Sequence, residues 1–182
     1  MKVLIIHGAY SRPQGNWFPW LKEELESRGF GVSVPKFPTP VNQSLERWKK
    51  IVDKEDIGED AVLVGHSLGA AFILNWLEEH HAVAAFLVAG FHRRLGISLD
   101  KLNSSFIDKE FRWDAIKGHC GKRFCISSGN DPYIPLDVSR ELAEKMGAEL
   151  ALVGDGGHLN KESGYTGFPL LKRMILENAG GR

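Results

Sequence analysis

Six short apolar runs punctuate the chain, at Lys2–Ile6, residues 31–34, 61–64, 83–88 and 123–126, and Glu149–Val153. Most are rich in Val, Ile or Leu, and continuous rather than alternating apolarity predicts strands covered on both faces. Between them the period changes to that of a helix. Trp17, Trp20, Leu21 and Leu25 share one helical face, Val138, Leu142 and Met146 a second, and Phe168, Leu171 and Ile175 a third. Strands alternating with helices predict the α/β class: a three-layer sandwich with a mostly parallel sheet of about six strands and no large cap.

Two stretches interrupt the alternation. Residues 35–40 hold three prolines, which excludes regular structure and predicts a rigid loop over the sheet edge. Residues 90–121, between the fourth and fifth runs, form a longer break, and a connection of that length predicts a lid-like or binding segment. No repeat, low-complexity tract or linker divides the chain, so one domain over residues 1–182 is expected.

Composition narrows the class of partner. Lys plus Arg equals Asp plus Glu at 23 each, and no basic cluster stands out, which argues against nucleic acid and anionic lipid. The first apolar run is too short for a signal peptide, and no stretch approaches the roughly 18 apolar residues that span a bilayer. A soluble, cytoplasmic protein acting on a small molecule is expected. Cys120 and Cys125 lack the neighbours of a zinc site and read as two reduced thiols near a core strand.

The most informative stretch is Gly65-His66-Ser67-Leu68-Gly69, placed where an apolar strand must turn into a helix. Gly-x-Ser-x-Gly in that context is a nucleophile elbow. A sharp turn holds the serine in a strained conformation above the carboxyl edge of the sheet, and small residues two before and two after let strand and helix approach. Ser67 is therefore the expected nucleophile.

A serine hydroxyl needs a base, and in this architecture acid and histidine follow it in that order. His80 and His81 end the helix that starts at Ser67, and so lie far from it. His92 and His119 fall in the lid-like segment, where they can touch substrate. His158 stands in a glycine-rich loop, Gly154-Asp155-Gly156-Gly157-His158, directly after the last strand, and is the expected base. His66 is expected to point away from the chemistry and pack. For the acid, Asp131 stands on the turn after the fifth strand, stiffened by Pro132 and Pro135. Its competitor is Asp155, which would have to fold back within one loop. A carboxylate here would hold the histidine in the accepting tautomer.

Acyl transfer also needs donors for an oxyanion. The backbone N–H of Leu68 supplies one at the helix N-terminus, and Ala9, after His7-Gly8 at the end of the first strand, the second. Among the aromatics, Tyr10, Trp17, Phe91 and Trp113 are candidates for the substrate pocket, and Phe18, Phe37 and Phe111 are further candidates for its entrance. No cofactor is required by this chemistry.

Together these pieces resemble the α/β-hydrolase superfamily, and more narrowly the small serine hydrolases related to retinoblastoma-binding protein 9. The likeness covers residues 3–8, 17–25, 64–69, 111–120, 129–135, 156–158 and 168–171. It implies a trimmed sheet of about six parallel strands and the triad Ser67, Asp131, His158. The chain departs from that family at Ala9-Tyr10-Ser11, where a Gly- and Asn-rich stretch is expected, and it lacks a Leu-x-Cys-x-Glu motif, so retinoblastoma-protein binding is not carried over. The resulting expectation is a carboxylesterase-like serine hydrolase acting on small acyl substrates. The alternative is an interaction protein on a hydrolase scaffold with little turnover. Dinucleotide binding is set aside, because no Gly-x-Gly-x-x-Gly follows the first strand.

Overall fold

A computed structural model describes residues 1–179. Each apolar run is a strand: β1 (Lys2–Ile6), β2 (Gly31–Ser33), β3 (Val62–His66), β4 (Ala82–Val88), β5 (Cys120–Ser128) and β6 (Glu149–Val153). They form one sheet in the order β2-β1-β3-β4-β5-β6, and every neighbouring pair is parallel. The chain starts at β1, steps outward to β2 and returns to β3 on the other side. The crevice beyond the carboxyl ends of β1 and β3 is thus the topological switch point, where open α/β sheets bind ligands.

Alternating side chains divide the core into two layers. Val3, Ile5, Val62, Val64, Phe86 and Ile126 pack on α1 (Phe18–Glu26) and α7 (Pro169–Ala179), through Phe18, Leu21, Leu171 and Ile175. Leu4, Ile6, Leu63, Leu87 and Cys125 face the other way, toward α2 (Leu45–Val52), α3 (Leu68–Leu77), α4 (Asp100–Ile107), α5 (Trp113–His119) and α6 (Leu136–Met146). All ten residues of α3 are buried, as an all-round apolar helix must be when elements cover every side.

The helical faces centred on Leu21, Leu142 and Leu171 lie in α1, α6 and α7. Three further helices, α2, α4 and α5, lie outside those predicted faces. In α2, a Ser44 hydroxyl accepts from Arg47 N–H and caps the helix, while Trp48 anchors it in the core. Residues 90–121 carry α4 and α5, and β5 already begins at Cys120 rather than Arg123. Ahead of α4, one Asp100 carboxylate accepts from the N–H groups of Leu95, Gly96 and Ile97 at 2.8–3.2 Å, which ties the loop into a compact strap.

Cys120 and Cys125 are buried and unbonded to each other, and burial pushes both thiols up to about 12, so neither is a ready nucleophile. No helix among the described residues is long and apolar enough to cross a membrane.

Candidate active site

Ser67 sits between the last residue of β3 and the first of α3, with φ 54° and ψ −117°. A non-glycine residue in that region costs about 1–3 kcal/mol and persists only where its surroundings enforce it. Here the enforcement is steric. A Cβ on Gly65 would lie 2.6 Å from the Gly69 carbonyl, and one on Gly69 only 2.2 Å from the Ile6 carbonyl oxygen. The two glycines therefore let the start of α3 press against β3 and the end of β1 at once. Ser67 N–H donates to the Val88 carbonyl at 2.8 Å, joining the turn to the end of β4. Gly8 completes the packing, since its own Cβ would stand 3.0 Å from that of Ser67.

His7 sets the loop that brings Gly8 and Ala9 to this point. Its Nδ1–H donates to the Gly8 carbonyl at 2.9 Å, and its Nε2 accepts from Phe37 N–H at 3.1 Å. Burial holds its pKa below the usual value, so the ring stays neutral and serves as a bridge between the β1 loop and the proline-rich segment.

His158 is held on three sides. Its Nδ1–H donates to Asp131 Oδ2 at 2.8 Å, its N–H to the Ser163 hydroxyl at 3.2 Å, and its carbonyl accepts from His66 Nε2–H at 2.9 Å. The Asp131 side chain is 2 % exposed, and its Oδ1 accepts from the N–H groups of Tyr133 and Ile134 at 2.9 and 3.0 Å. With the carboxylate fixed at both oxygens, Nδ1 carries the proton and Nε2 is left as the basic nitrogen. Asp155 is exposed on the same loop as His158 and is not the carboxylate at the ring.

The His158 loop is stitched to the end of β5 and its loop and to the β1 loop by residues with no motif to announce them. Ser128 Oγ–H donates to the Gly157 carbonyl, Asn130 Oδ1 accepts from Gly157 N–H at 2.7 Å, and Asn16 Oδ1 accepts from Lys161 N–H at 3.1 Å. Side chains of Asn and Ser near turns are the only sequence signal these positions give.

Ser67 and His158 line one cavity of about 480 Å³, together with Gly8, Ala9 and Tyr10 from the β1 loop. Phe91, Leu95, Ile97, Leu99 and Asn103 wall it on one side, Pro132, Tyr133 and Ile134 stand beside His158, and Ser11, Asn16, Asn160, Glu162 and Ser163 complete the rim. Its size lies within the range of small-ligand sites.

Several residues take roles other than the expected ones. Trp17 is fully buried outside the cavity; its Nε1–H donates to the Leu159 carbonyl at 2.9 Å, so it supports the histidine loop from below instead of meeting substrate. Trp113 is also outside, edge-on to the His92 ring at 5.6 Å, because α5 packs away from the carboxyl edge of the sheet. Phe18, Phe37 and Phe111 are core residues. Of the aromatic candidates, Phe91 and Tyr10 line the cavity, the second 65 % exposed at its mouth. His92 contacts Glu141 and His119 the Leu77 carbonyl, and neither reaches the cavity. His66 packs as expected, edge-on to the rings of Trp17 and Phe18, and beyond that it lies at the cavity and holds the backbone of His158. Burial first, and the neighbouring His158 second, push its pKa down to about 3, so it acts as a neutral donor.

Comparison with known proteins bears on the same arrangement. The sequence profile of the serine hydrolase family matches residues 3–177. The YdeN protein of Bacillus subtilis is 32 % identical over 180 residues, covering 96 % of this chain and 94 % of its own, and serine hydrolase RBBP9 of Rattus norvegicus is 26 % identical over 161 residues, covering 87 % and 86 %. The crystal structure of the B. subtilis ydeN product superimposes with a TM-score of 0.91 at 29 % identity over 99 % of both chains. Est1E from Butyrivibrio proteoclasticus has a TM-score of 0.72 at 13 % identity, covering 99 % of this chain and 88 % of its own, a likeness of fold alone. With nearly its whole length matched, and a strained serine at the switch point of a parallel sheet, this chain belongs to the serine hydrolase family and has the α/β-hydrolase fold.

Proposed function

We propose that the protein is a carboxylesterase-like hydrolase of small acyl substrates, with Ser67 as nucleophile, His158 as general base and Asp131 as the acid that orients it. The observation that carries this reading is the 2.8 Å Asp131–His158 hydrogen bond beside a cavity shared by His158 and the strained Ser67. The open cavity favours turnover over a scaffold role.

In the proposed reaction His158 Nε2 takes the Ser67 proton as Oγ attacks the ester carbonyl carbon. The developing oxyanion is received by the backbone N–H groups of Leu68, at the unsatisfied N-terminus of α3, and of Ala9; one such donor is worth about 10²–10³ in rate where it has been removed elsewhere. Asp131 stabilises the imidazolium, which then gives its proton to the leaving alcohol. Water, deprotonated by the same His158, cleaves the acyl-enzyme and restores Ser67.

A fluorophosphonate probe followed by peptide mapping tests this reading. The adduct is expected on Ser67, since an activated serine reacts where an ordinary one does not. A folded protein that takes up no label, and turns over no ester, would sink it.

A further inference from the structure

The two long walls of the cavity differ in character. Apart from Asn103, the wall after β4 is apolar, formed by Phe91, Leu95, Ile97 and Leu99, and Phe91 and Leu95 continue into the core beneath α3 and α4. The strap tied to Asp100 holds the backbone of Leu95 and Ile97 in place. Across from it, Asn16 of the β1 loop and Asn160, Glu162 and Ser163 of the β6 loop form a polar wall. These loops are joined to each other by Lys161 N–H on Asn16 and Trp17 Nε1–H on the Leu159 carbonyl, and Leu159 is rooted in the core of the opposite sheet face. Among the described residues lining the cavity, Glu162 is the only Asp, Glu, Lys or Arg.

The chemistry of the site decides which part of a substrate meets which wall. When the ester C–O bond breaks, the leaving oxygen takes its proton from His158, so the alcohol portion lies on the His158 side. Asn160, Glu162 and Ser163 follow His158 within the same loop. The acyl chain, the other substituent of the carbonyl carbon, is then directed toward Phe91, Leu95, Ile97 and Leu99.

Resting on the esterase reading above, we propose that the substrates are esters joining an apolar acyl group of a few carbons to a polar, non-anionic alcohol, with cationic alcohols favoured by Glu162. The Ser67 Oγ–C bond forms as the ester C–O bond breaks, the Ser67 proton leaves on the alcohol, and water then releases the acyl group as its carboxylic acid. The wall of four apolar side chains and a cavity of about 480 Å³ suit a short acyl chain, not a long lipid tail.

The test compares choline butyrate with the butyrate of 3,3-dimethylbutanol, its neutral isostere, each rate divided by that of alkaline hydrolysis. A carboxylate near 4 Å from an ammonium in high dielectric is worth about 1 kcal/mol, so the corrected kcat/KM ratio is expected to favour choline by about fivefold. Glu162→Gln is expected to bring the ratio close to one. Along the choline ester series from acetate to butyrate, kcat/KM is expected to rise about fourfold per buried CH₂, and Ile97→Ser to flatten that rise. A ratio at or below one, a ratio unmoved by Glu162→Gln, or a preference for decanoate over butyrate would each overturn the proposal. Those results leave Ser67 labelling by fluorophosphonate intact. Absence of both labelling and turnover of every ester would instead overturn the esterase reading, and this proposal with it.

Discussion

The two halves of the candidate site are built on opposite principles. Around Ser67 the geometry is steric: Gly65 and Gly69 bring α3 so close to β3 and β1 that no side chain fits between them, and Gly8 leaves room for only a tight contact. Around His158 it is polar: the loop donates hydrogen bonds to Asp131, Ser163 and Asn130 and accepts them from His66, Trp17 and Ser128. The first half cannot be perturbed without disturbing the fold. The second can lose one bond at a time, so damage there is expected in rate more than in stability.

The largest expected effect tests the polar half at its acid. Asp131→Asn is expected to lower kcat by about 10⁴, as a misplaced tautomer does in the serine-protease case, with a modest change in thermal stability. Asp155→Asn, at an exposed position, should leave ester hydrolysis within about twofold of the unsubstituted protein, in line with ordinary surface substitutions. Steady-state kinetics on a short-chain ester, with each variant first melted to confirm folding, separates the two. The reverse ranking would move the acid to Asp155.

Next comes the steric half. Gly69→Ala places a methyl 2.2 Å from the Ile6 carbonyl oxygen, a backbone atom that cannot swing aside. It is expected to destabilise the fold by about 3 kcal/mol or more, the upper range for overpacking. Denaturant titration reads this directly, and a variant as stable as its parent would show that the elbow tolerates looser packing than its geometry implies.

The smallest effect lies where the halves meet, at His66, which belongs to the elbow by sequence and to the histidine loop by hydrogen bond. His66→Leu removes the donor to the His158 carbonyl and is expected to lower kcat by about tenfold, the scale of one neutral hydrogen bond. His66→Gln, which retains a donor, should recover part of the loss. The same histidine predicts a pH effect. Its pKa falls from 6.5 unfolded to about 3 folded, so the unfolded chain binds the extra proton between those values. The His66 contribution is therefore complete above pH 6.5 and is lost as pH drops toward 3, at up to about 1.4 kcal/mol per pH unit. His66→Gln should flatten that part of the stability profile, and an unchanged acid limb would count against a neutral, buried His66.

What the sequence by itself determined follows from local sterics and period. The six apolar runs all form strands, although cover on both faces fails at the edge strand β6, where Leu152 is half exposed, and Gly65-His66-Ser67-Leu68-Gly69 could make its turn only because both glycines lack a Cβ. The His158 loop was recognisable from its glycines and its place after the final strand. Asp131 was legible as a candidate acid from its turn after the fifth strand, with Asp155 as competitor, whereas the role of His66 and the support from Trp17 and Asn130 were decided only by tertiary structure. Those contacts join residues between 27 and 142 positions apart, and a hydrogen bond leaves no periodic trace in the chain. The placement of Trp17 beneath the histidine loop and of Trp113 behind α5 shows the same limit: an indole satisfies a core or a pocket equally well, and only the packing of its neighbours decides between them.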